Sequence, residues 1–160
     1  MWNEFAQWFA ILTLVTLTIA AYRELGVILQ PSRLANEGLP LGSRLPSVVR
    51  LKAPPTQKYE RVLVGVVAEG CQSCERFLSN LRSSEALLSD WLVVLVAQSR
   101  NQSYLEQLRQ LGVSVVADTS GDVSRDLNVH ATPLILVADR DWRVQRKGVT
   151  HRVSDFLRAA

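Results

Sequence analysis

Apolar positions along this chain follow two different patterns. Residues 5–22 carry no charge: Phe5, Phe9, Ile11, Leu14, Val15, Leu17 and Ile19 make the run apolar, with Thr13, Thr16 and Thr18 between them. At about 1.5 Å per residue, this is near the shortest helix that spans a bilayer. Threonine hydroxyls can bond back to carbonyls of their own helix, so they do not bar insertion. Trp2, Trp8 and Tyr22 suit headgroup depth. The pattern predicts a transmembrane anchor within residues 1–30, with Pro31 stopping the helix. A cleaved signal peptide fits less well. Glu4 stands where a basic n-region belongs, and Thr18-Ile19-Ala20 is a poor cleavage site. A buried core helix would be apolar all round, which is unusual in so small a domain.

From residue 61 the spacing changes. Residues 62–68 form a continuous, β-branched apolar run, and 91–97 form another; both predict buried strands. Between them, Phe77, Leu78, Leu81, Leu87 and Leu88 predict a helix over 72–88. Tyr104, Leu105, Leu108 and Leu111 predict a helix over 103–111, stopped by Gly112. A third strand is predicted at 113–117 and a short helix at 122–128. Strands at 134–138 and 142–147 are joined by the turn 139–141, so they must be antiparallel. A last helix is predicted at 153–159. Strands alternating with helices indicate an α/β fold, a mixed sheet flanked by helices on both faces. Residues 31–60 are a Pro- and Gly-rich connector, with an edge strand expected at 47–51. The organisation is therefore an anchor (1–30), a connector (31–60) and a folded domain (61–160).

Composition narrows the partners. The chain has 160 residues, is 48% hydrophobic and carries a net charge of +3, the profile of a folded protein. Its basic residues are scattered, and the tightest group, between Arg140 and Lys147, is interrupted by Asp141 and Trp142. No basic stripe with interleaved aromatics is present, so a nucleic-acid partner is not expected.

The chemistry lies in the only two cysteines. Cys71 and Cys74 close too small a loop to staple a fold, so reactivity explains them better than scaffolding. They follow a buried strand and open a helix. Free backbone N–H groups and the helix dipole there stabilise a thiolate on Cys71. Cys74 falls one turn later on the same side, placed to resolve a mixed disulfide. A zinc site would need about four ligands, and only His130 and His151 are left to offer, unpaired. Neither metal nor cofactor is called for. Thr132-Pro133, before the 134–138 strand, reads by itself as an ordinary trans turn, because only about 5–6% of X–Pro bonds are cis. His130 beside it is a candidate substrate contact. Trp91 reads as packing at a strand start and Trp142 as a hairpin-edge residue.

The run Val62-Leu63-Val64-Gly65-Val66-Val67-Ala68-Glu69-Gly70-Cys71-Gln72-Ser73-Cys74 resembles the strand, loop and active-site helix of the thioredoxin superfamily. Asn128-Val129-His130-Ala131-Thr132-Pro133-Leu134-Ile135-Leu136-Val137 resembles its second motif. The resemblance implies a cis bond at Thr132-Pro133 facing the cysteine pair. Thr132 would then offer its backbone to an extended substrate, and Pro133 would hold the turn. More narrowly, the anchor, then Tyr22-Arg23-Glu24-Leu25-Gly26-Val27-Ile28-Leu29, then Gly38-Leu39-Pro40-Leu41-Gly42-Ser43-Arg44-Leu45-Pro46, is similar to the anchored, TlpA-related methylamine utilisation protein MauD group. So is the stretch from Val137 to Gly148. That likeness implies an uncleaved anchor, an extracytoplasmic domain on the periplasmic side, and dithiol–disulfide exchange on protein partners during maturation of a disulfide-containing protein. Arg23 after the anchor argues for the opposite side, although Glu24 dilutes it; a cytoplasmic thiol reductase is the corresponding reading.

Departures from the superfamily pattern matter. Gly65 stands where a buried acid assists the resolving thiol, Gly70 replaces the preceding Trp, and Gln72-Ser73 replaces Gly-Pro. Glu69 and Glu75, read as solvated acids, or water would handle the proton, and Glu69 disfavours a Cys71 thiolate by like charge. These departures leave room for a second class: a non-catalytic structural or assembly subunit of a membrane complex.

Overall fold

The computed structural model describes residues 8, 13–18, 36–51 and 59–157. The chain divides into two units, Met1–Ala35 and Asn36–Ala160. In the first, residues 13–18 are helical, with Leu14, Val15 and Leu17 exposed. Thr16 Oγ1 donates to the Thr13 carbonyl at 2.9 Å and Thr18 Oγ1 to the Leu14 carbonyl at 2.7 Å, the back-bonding that lets threonine sit in an apolar helix. Most of the expected anchor lies outside the described residues. Among the described residues, no helix is long and apolar enough to cross a membrane.

The second unit contains α1 (Ser47–Leu51), β1 (Arg61–Ala68), α2 (Gln72–Ser83), β2 (Trp91–Gln98), α3 (Gln102–Arg109), β3 (Ser114–Ala117), α4 (Asp122–Asp126), β4 (Leu134–Ala138), β5 (Val144–Val149) and α5 (Ser154–Leu157). The strands form one sheet in the order β3-β2-β1-β4-β5. β1 is parallel to β2, and β2 to β3. β4 is antiparallel to both β1 and β5.

β1 is central, which explains why its sequence is apolar without alternation: both faces are covered. Side chains alternate across the sheet. Val62, Val64 and Val66 enter a cluster with Leu45, Val49 and Leu127. Leu63 and Val67 enter the opposite cluster with Phe77, Leu81, Leu105 and Phe156. Burying each large aliphatic side chain contributes about 1.5–3 kcal/mol, so this two-sided core holds the sheet and the loops at its ends.

Three expectations need correction. Residues 47–51 are a helix, not an edge strand. Pro46 begins it at no hydrogen-bonding cost, since a proline lacks only an N–H that a first turn leaves unused; its carbonyl accepts from Val49 and Arg50. The edge pairing falls just before it. Gly42 N–H donates to the Val144 carbonyl, Val144 N–H to Ser43, and Leu45 N–H to Trp142, with a bridge at Arg44 and Arg143. The helix expected over 72–88 ends at Ser83 and is followed by a separate 3-10 turn, Glu85–Leu88. Serines are weak helix formers, and Ser83 Oγ bonds back to the Ser79 carbonyl. Leu87 consequently faces solvent, while Leu88 is buried. Trp142 is a core residue rather than an edge one. It has φ 64° in a turn built by Asp139, whose carboxylate accepts from the Asp141 and Arg143 amides.

Candidate functional site

β1 ends at Ala68, and Glu69-Gly70 carry the chain over the sheet edge to α2. Gly70 has φ +72°, and a Cβ there would meet nothing within 4 Å. The left-handed backbone favours glycine, so a tryptophan at this place would be strained. Cys71 caps α2 with extended backbone (φ −87°, ψ 106°), and its Sγ accepts the Cys74 N–H at 3.1 Å. The Cys71 carbonyl also accepts from the Glu75 amide at 3.1 Å. The sulfur of Cys71 thus sits where the first turn of a helix presents unpaired donors.

Cys71 and Cys74 are joined as a disulfide with Cα atoms 5.2 Å apart. The two are unequal. Cys71 is half-buried, whereas Cys74 is 1% exposed and belongs to the apolar cluster of Phe77 and Leu81. The helical spacing that buries Cys74, Phe77 and Leu81 on one face decides this difference.

The Thr132-Pro133 bond is cis. Thr132 lies over the disulfide: its carbonyl oxygen is 3.8 Å from Cys71 Sγ, and its hydroxyl, 3.6 Å away, can donate to that sulfur. Pro133 is buried at the start of β4. The fold therefore brings Cys71, Cys74, Thr132 and Pro133 together. His130 is exposed, with Nε2 3.1 Å from Asn128 Oδ1. It lines a cleft of about 640 Å³ shared with Gln98, Ser99, Thr119 and Ser120.

Where the superfamily pattern places an acid, the structure shows a packed ring. A Cβ on Gly65 would stand 2.7 Å from Phe77 Cζ and 3.1 Å from Leu95 Cδ2. Gly65 and Phe77 fill one volume between them.

Glu69 is exposed, as expected of a surface acid, but two side chains hold its carboxylate. Ser99 Oγ donates to its Oε2 at 2.6 Å and Asn101 Nδ2 to its Oε1 at 2.7 Å. These bonds hold its carboxyl below the ordinary range, so it stays ionised two residues from Cys71. Glu75 is exposed. Tyr104, whose hydroxyl is 3.5 Å from the Ala68 carbonyl, is pushed up by burial and then by the charges of Glu69 and Glu75.

Sequence reasoning missed Glu37. It is buried, and its carboxylate accepts the amide N–H groups of His130 and Ala131, immediately before Thr132. A breaker-rich connector gives no periodic signal that could mark such a residue.

No family model and no curated protein matches the chain. Solved structures do match. StoA from Bacillus subtilis is 15% identical, with TM-score 0.53, covering 63% of this chain and 81% of that one. The thioredoxin domain of a thiol-disulfide oxidoreductase from Bacteroides vulgatus is 18% identical, with TM-score 0.53, covering 70% and 90%. The exposed lipoprotein thioredoxin Etrx1 from Streptococcus pneumoniae is 15% identical, with TM-score 0.52, covering 64% and 87%. At such identities the likeness shows the fold, which is thioredoxin-like.

Proposed function

We propose that this chain is a thiol–disulfide oxidoreductase that exchanges the Cys71–Cys74 disulfide with protein partners outside the cytoplasm, held to a membrane by residues 1–30. The observation that carries the reading is the unequal cysteine pair under Thr132: one sulfur is reachable at a helix N-terminus, the other buried one turn below.

In the reducing direction, the Cys71 thiolate attacks a partner disulfide. A Cys71–partner bond forms and one partner thiolate leaves. The Cys74 sulfur then attacks Cys71 Sγ, the mixed disulfide breaks, and the second partner thiolate leaves. Two electrons pass to the partner, and the two protons of the dithiol end on its thiols. In the oxidising direction every step reverses. Thr132 aligns the partner's backbone, Pro133 keeps the loop in place, and no cofactor takes part. The anchored MauD-like likeness supports an extracytoplasmic role in maturing a disulfide-containing protein.

The test is trapping. Cys74→Ser should accumulate a covalent complex through Cys71 in native membranes, released by dithiothreitol. No trapped partner, together with a wild-type pair inert to dithiol reagents, overturns the enzyme reading. That result would favour the second reading, a structural or assembly subunit of a membrane complex. The observation behind the second reading is Phe77 packed on Gly65, which leaves no carboxylate at that place to take the Cys74 proton.

A further inference from the structure

Glu37 is 5% exposed, and no step of the exchange described above uses it. A carboxylate is kept in such a place only when charge-assisted hydrogen bonds replace its water. Here one oxygen, Oε1, takes both: the His130 N–H, and the Ala131 N–H at 2.7 Å. The neighbouring chain is laced to the same loop. Gly38 N–H donates to the Asn128 carbonyl at 2.9 Å, and Asn128 Nδ2 donates to the Asn36 carbonyl at 2.9 Å. Lys147 Nζ donates to the Gly38 carbonyl at 3.3 Å, tying the segment to β5.

The two amides that Glu37 holds are consecutive, and the next residue is Thr132. Thr132 turns its carbonyl and hydroxyl to within 3.8 and 3.6 Å of Cys71 Sγ. Asn128, at the other end of the loop, takes φ 56°, a conformation that asparagine tolerates better than most residues. The loop backbone beside the reactive sulfur is thus set from outside by a buried anion on a segment more than ninety residues away in sequence.

We propose that Glu37 is a positioning residue for exchange with protein partners: it fixes the His130–Ala131 backbone so that Thr132 meets an extended partner segment beside Cys71. The proposal rests on the oxidoreductase reading. A small disulfide reaches Cys71 without pairing to Thr132. Loss of Glu37 must therefore separate protein substrates from small ones, which a merely stabilising contact would not do.

The experiment uses the full chain, reduced, in single-turnover reactions with insulin and with bis(2-hydroxyethyl) disulfide. Glu37→Ala is expected to slow the insulin reaction about tenfold, because misplaced positioning groups cost at least that much. The small-disulfide reaction should stay within about twofold of wild type, since Cys71 at the helix N-terminus is unchanged. Glu37→Gln keeps one oxygen but loses charge-assisted bonding, so a loss of about threefold with insulin is expected. In both variants, amide hydrogen exchange at His130 and Ala131 should quicken.

Equal slowing with both substrates overturns the proposal, and so does a wild-type rate with insulin. If Glu37→Ala does not fold, the same outcomes are read from Glu37→Gln. A wild-type chain that reacts with neither disulfide overturns the oxidoreductase reading itself, and the role of Glu37 falls with it.

Discussion

Gly65 and Phe77 are complementary residues, and the fit is tight enough to test. A methyl on Gly65 would sit 2.7 Å from the phenyl ring, closer than packed atoms tolerate. Overpacking of a dense core typically costs about 1–3 kcal/mol. Gly65→Ala should lower stability by that amount in urea melts, and Phe77→Leu in the same chain should recover part of the loss. Recovery is the diagnostic result; independent, additive losses would show that the ring and the glycine do not share one space. Glu69 yields a pH prediction. Its folded carboxyl is held below the ordinary carboxylate range by hydrogen bonds from Ser99 and Asn101. A depressed pKa adds stability that is fully present above the unfolded value and disappears as pH falls through the folded one. The stability difference between wild type and Glu69→Gln should therefore be flat above about pH 5 and shrink progressively at more acid pH. A difference that widens on acidification would contradict the hydrogen-bonded geometry.

Elements buried on both sides were the most legible in the sequence. β1 and β2 each have six buried central residues, and an uninterrupted apolar run bounded by polar residues has few other solutions. The strand–loop–helix placement of the cysteines followed from those strands, and the helical spacing after them made Cys74 the more buried of the pair. Elements set by tertiary contacts were less legible. Val48 and Val49 read as strand by their branching, yet Pro46 and the burial of Val49 make that segment a helix. The break after Ser83 depends on a serine hydroxyl bonding backwards, a local competition that apolar spacing does not register. Trp142 reads as a hairpin-edge residue from its place beside the 139–141 turn, but the Asp139 turn swings it into the core. Glu37 was invisible for a related reason: its donors are backbone amides, which every sequence contains.

At the scale of the molecule, the mixed sheet places the cysteine helix and the Thr132 loop side by side, because β1 and β4 are paired neighbours running in opposite directions. The end of β1 therefore meets the beginning of β4, and the two halves of the site, Cys71 and Thr132, come from positions 61 residues apart. The proposed anchoring and the side of the membrane it would give are tested on the whole chain. With Cys74→Ser, Cys71 is the sole thiol, since the chain has two cysteines. A membrane-impermeant maleimide should label it in intact spheroplasts, and the labelled chain should stay with the membrane through carbonate washing. Labelling only after permeabilisation would place the domain in the cytoplasm, and release by carbonate would remove the anchor.

For the proposed exchange, the open space around Gly70 bears on how a partner would be recognised. Gly70 has no side chain, and nothing lies within 4 Å of where one would begin, so the residue before Cys71 raises no side-chain wall beside it. In the proposed exchange, bulky or branched residues beside a partner's cysteine would meet no side chain from residue 70. On the proposed reading, selectivity would rest on the partner's main chain registering against Thr132 rather than on side-chain shape at residue 70. A site of that kind would admit many partner side chains in one backbone pose.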